Sequence, residues 1–233
     1  MSTSGSTNYT LVTNDLIEEA FAICGIASEG RAVSAYDYAR GKAALNLMVK
    51  NWSTVDHLWL RTEASVTLVA SQATYALATL FSVKPGRVLA VRRRVTSGSL
   101  DTPLREMSRQ EYFDQSNKTL AATPTGYYYD PQLSTGTLYI WPTASTTVAS
   151  AQTIRVEYLR KIEDFDGSAN DADLPQEWLM ALTYGLAAEL ALRYGINSSL
   201  RGAIEERASA LKAQLEAWDT EPASVFLQPD YQC

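Results

Sequence analysis

The spacing of apolar residues changes twice along the chain, and this change limits the fold more than any other feature. Near both ends, apolar residues recur every three or four positions, which is the period of an amphipathic helix. Between about Thr62 and Leu159 they alternate with polar residues, which is the period of a half-buried strand. The sequence therefore predicts helices at the two ends and a β-rich segment between them.

Two helices are predicted before the β-rich segment. Thr13-Asn14-Asp15 is typical of a helix start, and apolar residues then repeat at helical spacing until Gly25. A longer helix is predicted from about Ser34, with an apolar stripe that continues to Trp52. We expect these two helices to form an antiparallel hairpin.

Two further helices are predicted near the C-terminus. The first has a stripe of four leucines, namely Leu179, Leu182, Leu186 and Leu190. The second follows Gly195-Ile196-Asn197 and has a longer stripe, namely Leu200, Ile204, Ala208, Leu211, Leu215 and Trp218. Because neither helix pair can bury its stripes alone, we expect the first and last pairs to pack as one bundle.

The predicted fold class is α+β, a helical bundle made from N-terminal and C-terminal helix pairs with an inserted antiparallel β-rich lobe. The predicted regions are residues 1–61 for the N-terminal helices, 62–162 for the β-rich lobe, 163–219 for the C-terminal helices and 220–233 for an extended tail. Each half of the bundle would thus be completed by residues from the other end of the chain.

The C-terminal tail contains apolar residues that no helix or strand pattern would bury. Pro222 and Pro229 forbid a continuous helix there. The apolar members are Val225, Phe226, Leu227 and Tyr231. Since permanent exposure of such side chains to water is unfavourable, we expect them to become ordered on a partner.

Composition and motifs argue against a catalytic or metal-binding protein. The 233 residues include one histidine, His57, and two cysteines, Cys24 and Cys233, so neither a two-histidine metal site nor a disulfide framework is predicted. The sequence has no phosphate-binding glycine loop and no G-x-S-x-G nucleophile motif. A net charge of −6 argues against a protein whose main task is to grip phosphates. We expect no cofactor, no secretion signal and no membrane-spanning segment.

The acidic stretch EDFDGSANDADLPQEW, residues 163–178, allows three interpretations. As a calcium loop counted from Asp164 it fails, because positions 6 and 12 are Ala169 and Pro175 instead of Gly and Glu. A catalytic carboxylate pair must face across a cleft, which neighbours within one loop rarely do. We therefore interpret the stretch as a polar loop that leads into a helix beginning near Pro175, with an adventitious cation site as the alternative.

Five runs of sequence together resemble one protein family. They are SQATYAL (71–77), TPTGYYYD (123–130), GTLYIWPTAS (136–145), IRVEYLRK (154–161) and DLPQEWLMALTYGLAAELALRYG (173–195). In this order and spacing they resemble the head-to-tail adaptor, or connector, proteins of tailed bacteriophages, including the tail tubular and DNA-stabilising kinds of short-tailed phages. The resemblance covers about residues 15–218.

The resemblance implies a structural virion protein that is not an enzyme. It implies a ring of copies, twelve in number, that binds the portal protein, extends the DNA channel, helps to retain packaged DNA and supports tail assembly. A tail nozzle or another tail protein would bind below. Packaged DNA would pass without sequence-specific contact, and no membrane would be involved. The protein would assemble in the bacterial host cytoplasm and lie in the neck or tail region of the virion.

Two groups of residues are candidate interaction sites under this interpretation. The tail residues Val225, Phe226, Leu227 and Tyr231 would dock on the portal or a neighbouring subunit. On a strand, Arg92 and Arg94 would point to one face and Arg93 to the other, so the three arginines cannot all face a channel. Salt bridges within or between subunits are favoured over DNA contact for them.

Two other functions remain open. A tail-associated cell-wall glycan hydrolase would use a carboxylate pair such as Glu157 with Asp164 or Asp166. A carbohydrate-binding module would use an aromatic platform such as Tyr127-Tyr128-Tyr129, for which core and interface positions are the favoured interpretation.

Overall fold

The computed structural model describes residues 3–27, 33–55, 57–98 and 100–221. The chain divides into two compact units. The helical unit contains residues 1–48, 57–59 and 164–233, and the β unit contains residues 49–56 and 60–163. The predicted docking residues Val225, Phe226, Leu227 and Tyr231 lie outside the described residues.

The elements follow the predicted order of helices, strands and helices, and the α+β fold class is confirmed. The helices are α1 (Thr13–Ile23), α2 (Ala35–Trp52), α3 (Leu77–Leu80), α4 (Arg109–Phe113), α5 (Thr146–Ala151), α6 (Leu179–Tyr194) and α7 (Ser198–Trp218). The strands are β1 (Arg61–Thr67), β2 (Thr74–Ala76), β3 (Arg87–Val95), β4 (Leu100–Pro103), β5 (Arg105–Glu106), β6 (Ala121–Ala122), β7 (Gly126–Asp130), β8 (Thr137–Trp141), β9 (Thr143–Ala144) and β10 (Gln152–Leu159). Short 3-10 turns at Leu58–Leu60 and Gln176–Trp178 precede β1 and α6.

The first turn of α1 is capped by the acidic loop and not by a side chain of its own. The backbone N–H groups of Thr13 and Asn14 donate to the carbonyl oxygens of Asn170 and Ser168, at 2.9 and 3.0 Å. The Thr13 hydroxyl also donates to Asn170 O, at 3.0 Å. Because Thr13 is fully buried, these bonds satisfy donors that water cannot reach. The predicted helix start is confirmed, but its cap comes from the other end of the chain.

The acidic loop is also attached to α2. Asn46 Nδ2 donates to Phe165 O at 3.2 Å, while Asn46 Oδ1 accepts from Phe165 N at 2.9 Å. Lys42 Nζ donates to Asp166 O at 3.0 Å. The loop therefore acts as a structural connector within the helical unit, as the polar-loop interpretation predicts.

Close packing joins the helices of this unit. A Cβ atom at Gly41 of α2 would lie 2.9 Å from Ile17 Cγ2 of α1, so glycine permits the two helices to approach. α6 packs against both α1 and α7. It ends at Gly195, whose φ of 61° is the left-handed conformation that glycine adopts without strain.

The apolar stripe of α7 is only partly covered, which corrects the expectation that it is buried in a bundle. Ile204 is buried, but Leu211 and Leu215 are half-buried. Leu200 is 41% exposed and Trp218 is 70% exposed. The physical reason is that α6 is the main neighbour of α7, and a single neighbouring helix covers only one side of a stripe.

The β unit contains two four-stranded sheets. The first has the order β1-β10-β3-β4 and is antiparallel throughout, and the second has the order β2-β8-β7-β5. Only the short β5 in the second sheet, and the separate β6–β9 pair, run parallel to their neighbours. Residues of the inner faces form one core, which includes Val66, Val91, Leu138, Ile140, Ile154 and Val156. This arrangement explains the alternating apolar pattern.

We expect Leu186→Asp and Leu211→Asp to have different consequences. Leu186 is fully buried, so an aspartate there should destabilise the helical unit by about 5 kcal/mol or more, which is enough to unfold it. Leu211 is half-buried, and the same change should cost about 1 kcal/mol and leave a cooperative transition. Thermal melting followed by circular dichroism measures both. Loss of the folded state in the Leu211 variant would show that the uncovered side of α7 is needed for folding.

Candidate functional site

The single histidine lies in a buried aromatic cluster of the helical unit. His57 is 2% exposed, and its ring centroid lies 4.7 Å from that of Trp178 and 5.7 Å from that of Trp59. His57 Nδ1 lies 3.2 Å from Asp219 Oδ2, and the same oxygen accepts from Leu58 N at 3.1 Å. We call this group, His57, Leu58 and Asp219, the α7 clasp, because it fixes the residue that follows α7.

The clasp does not have the geometry of a catalytic triad. A triad needs a nucleophilic hydroxyl at the second ring nitrogen of the histidine. In the described part of the chain, His57 Nε2 is buried and has no hydrogen-bond partner. The histidine therefore serves packing and anchoring, which agrees with the absence of a nucleophile motif in the sequence.

Other reactive groups are also placed in structural roles. Cys24 is buried and its thiol donates to Ala187 O, and burial raises the pKa of that thiol to about 11. Among the described residues, no group of three or more His, Cys, Asp or Glu side chains is arranged to hold a metal ion. None of the described helices is long and apolar enough to cross a bilayer.

The outer face of the first sheet carries a balanced network of charges. Arg92 Nη2 lies 3.6 Å from Glu157 Oε2 and 3.8 Å from Glu63 Oε2. Arg155, which lies opposite Arg92 in the register, is 3.5 Å from Glu63 through its Nε. Each arginine therefore has a carboxylate neighbour from an adjacent strand, and the net charge of this group is zero.

The other two arginines of the run are separated by the strand geometry. Arg94 makes a bidentate pair with Asp101 of β4, at 2.6 and 2.5 Å, and this pair holds the pKa of Asp101 below its usual value. Arg93 faces the opposite side of the strand, where its Nη1 lies 3.5 Å from Gln152 Oε1. The structure therefore brings Arg92 and Arg94 to one face and places Arg93 on the other.

The carboxylate proposed for glycan hydrolysis is part of the same network. Glu157 pairs with Arg92 and lies opposite Glu63 in the register of β1 and β10. Asp166 is exposed, and its carbonyl oxygen binds Lys42 in the helical unit. In these positions, the Glu157 side chain pairs with an arginine, and the Asp166 side chain lies on the exposed surface of a loop. No observation favours the hydrolase over a structural protein.

The three adjacent tyrosines alternate between two environments. Tyr127 belongs to the core between the sheets, and Tyr129 packs against that core from its edge. Tyr128 faces the other side, where it stacks on Tyr139 with ring centroids 5.6 Å apart and is covered by Tyr112 of α4. Tyr128 is only 9% exposed, so it offers little surface for a sugar ring. Tyr127 and Tyr128 are therefore buried, whereas Tyr129 is partly buried.

Three surfaces were not predicted from the sequence. The first is the α1–α6 groove in the helical unit, with a volume of about 700 Å³ and a lining that includes Tyr9, Asp15, Glu19, Ile23, Leu179, Met180 and Tyr184. Its lining combines apolar residues with two exposed carboxylates, Asp15 and Glu19. The α1 wall of this groove could have been predicted from the sequence, since Asp15, Glu19 and Ile23 recur at helical spacing on the outer face of α1.

The second surface is one end of the β unit, which we call the β tip and define as residues 80–84 and 131–135. Leu133 is 97% exposed, Val83 is 56% exposed and Leu80 is 51% exposed. Lys84 Nζ donates to Pro131 O of the other segment at 3.3 Å, and Ala78 N, just before the first segment, donates to Thr135 O at 3.0 Å. Three apolar side chains therefore project from two loops that are joined by hydrogen bonds.

The third surface is a basic pocket of the β unit with a volume of about 610 Å³. It is lined by Lys50, Arg87 and Lys161, together with two hydroxyl residues, Ser53 and Thr54. No carboxylate is among the described residues that line it. A pocket of this composition attracts anions even on an acidic protein.

One family model matches most of the chain. Residues 12–225 match the family model described as SU10 adaptor protein. No curated protein matches the chain. Chains of solved structures also match, 24 in number. One of them comes from the structure described as "Neck of empty GTA particle computed with C6 symmetry", with 14% sequence identity, coverage of 87% of this chain and 93% of that chain, and a TM-score of 0.27.

We expect Asp219→Ala to weaken the helical unit. The change would leave the Leu58 N–H and the buried His57 ring without their shared acceptor, at a cost of about 1 to 3 kcal/mol. Asp114→Ala is the matched control, because Asp114 also follows the end of a helix but is exposed. Urea denaturation of both variants measures the difference. Equal effects would show that the α7 clasp contributes nothing beyond an ordinary helix end.

Proposed function

The chain belongs to the SU10 adaptor protein family, and from that membership we propose that it is the head-to-tail adaptor of a tailed bacteriophage particle. The family match carries the proposal, because it extends over residues 12–225 and so includes both the helical unit and the β unit. Copies of the chain form a ring, of twelve as the sequence resemblance implies, beneath the portal protein. The ring extends the DNA channel and supports the nozzle or another tail protein.

The adaptor acts through binding surfaces and not through catalysis. His57 is anchored by Asp219, Cys24 is buried with a raised thiol pKa, and Glu157 is paired with Arg92. These groups are the candidates for acid, base or nucleophile, and each has a structural partner. Exposed apolar side chains on α7, on the β tip and in the α1–α6 groove offer surface for protein partners instead.

Packaged DNA passes through the ring without sequence-specific contact. Arg92, Arg94 and Arg155 are neutralised by carboxylates of the same unit, which removes most of their attraction for phosphate. The basic pocket at Arg87 and Lys161 keeps an excess of positive charge. Weak, salt-dependent contact with the DNA backbone is the interaction that this charge distribution supports.

The tail docks on the portal or on a neighbouring adaptor. The described chain ends at Glu221, three residues beyond Trp218 and two beyond the α7 clasp. A tail that leaves from an anchored position loses less freedom when it binds than one that leaves from a frayed helix end. Val225, Phe226, Leu227 and Tyr231 supply the apolar contacts.

Mass measurement of the purified chain, alone and with its portal protein, tests the proposed function. Alone, we expect mostly monomer at micromolar concentration, because the exposed apolar positions form separate small areas and not one large interface. With the portal, we expect a complex that contains many copies of the chain. If the chain never joins the portal or the particle neck, the head-to-tail assignment is wrong.

Deletion of residues 222–233 tests the tail. We expect the melting temperature to stay nearly unchanged, because the α7 clasp remains, and binding to the portal in co-sedimentation to be lost. Phe226→Ser with Leu227→Ser should reproduce the loss, whereas Gln228→Ala with Gln232→Ala is the matched control within the same segment. Normal binding by the deleted chain would move the docking surface to the two folded units.

A further inference from the structure

We infer that the β tip of one copy inserts into the α1–α6 groove of a neighbouring copy. This inference rests on the proposed function, because it names a contact between copies in the ring. The occupant of the groove is thus a second copy of this chain. It is identified by the apolar character and the charge of two surfaces that belong to different units.

The groove is built to receive an apolar projection beside a positive charge. α1 packs on α6, and the outward faces of the two helices form its walls. Ile23, Met180 and Tyr184 contribute apolar surface, and Met180 is 54% exposed. Asp15 and Glu19 stand one helical turn apart on α1, are exposed, and make that wall negative.

The β tip has the matching character. Leu133 at the turn between β7 and β8 is 97% exposed, and Val83 and Leu80 stand on the adjoining segment. Lys84 follows Val83 in the same segment, and its Nζ uses one donor for Pro131 O at 3.3 Å. An ammonium group has three donors, so two remain for carboxylates of a partner.

Hydrogen bonds and one stacked ring pair hold the residues that border the tip. Leu77 N donates to Gly136 O at 2.9 Å, and Tyr129 OH donates to Pro85 O at 3.3 Å. Phe81 is fixed by stacking on Tyr158, with ring centroids 4.9 Å apart. Because both segments are held to the sheet, little conformational freedom would be lost on insertion.

A contact between two different surfaces, one on each copy, is the kind of contact that can form a ring. A tip on one copy and a groove on the next make a heterologous contact, and repeated heterologous contacts close into a ring when the rotation allows it. Neither surface is complementary to itself, since the groove is acidic and the tip presents Lys84. The two surfaces therefore favour a head-to-tail order of copies over a symmetric pair.

Disulfide trapping between two differently sized full-length chains tests the contact. Both chains carry Cys233→Ser, while Cys24 is left in place because it is buried. One chain carries Leu133→Cys and the other Met180→Cys. Under mild oxidation, we expect the mixed dimer to form at least about tenfold faster than with Leu192→Cys, because a real contact raises the effective concentration of the two thiols. Leu192 is the matched control, since it is also on α6 and is 56% exposed, compared with 54% for Met180.

Charge reversal supplies a second, independent readout. Lys84→Glu in the first chain should slow trapping at the Leu133–Met180 pair, and Asp15→Lys with Glu19→Lys in the second chain should restore it. Equal trapping at Met180 and Leu192, or no rescue by the reversed charges, would overturn the inference. If trapping fails while the chain still joins the portal as many copies, only this contact is wrong. If trapping succeeds but the chain never joins a particle, the proposed function is wrong.

Discussion

The helical unit depends on the acidic loop between β10 and α6, because this loop satisfies backbone groups of helices that are far away in the sequence. Its carbonyl oxygens at Ser168 and Asn170 accept the first N–H groups of α1, and Phe165 makes two hydrogen bonds with Asn46 of α2. A buried helix start without these acceptors would leave unsatisfied donors. The two ends of the chain therefore form one unit although about a hundred residues separate them.

In the β unit, the outer face of the first sheet is exposed, and its paired charges keep it from being a strong general binding surface. The inner face buries aliphatic residues such as Ile154 and Val156. The outer face pairs Arg92 and Arg155 with Glu63 and Glu157 across neighbouring strands. Since these charges balance, this face attracts neither DNA nor an acidic partner strongly. Binding is then left to the ends of the unit, where the apolar side chains project.

Residue spacing predicted the features that depend only on residues close together in the sequence. The period change located the long helices and strands. The cap of α4 is equally local, since the Ser108 hydroxyl accepts from Glu111 N at 3.2 Å. The short β5, β6 and β9 were missed because two-residue strands carry no period. The cap of α1 and the partners of Arg92 were also beyond sequence reasoning, since both are contacts made across the fold. The half-covered stripe of α7 was missed because periodicity shows which face is apolar but not how many neighbours cover it.

The exposed apolar positions are spread over several small areas, and this distribution has a consequence for assembly. Trp218 ends α7, Leu133 projects from the β tip, and Met180 borders the groove. A contact that buries only a few such side chains is too small to hold two proteins together at low concentration. Several such contacts made at once are much stronger, because the first one raises the effective concentration for the rest. We therefore expect a chain built in this way to stay dispersed until a partner gathers its copies, which is the behaviour that the proposed ring would need.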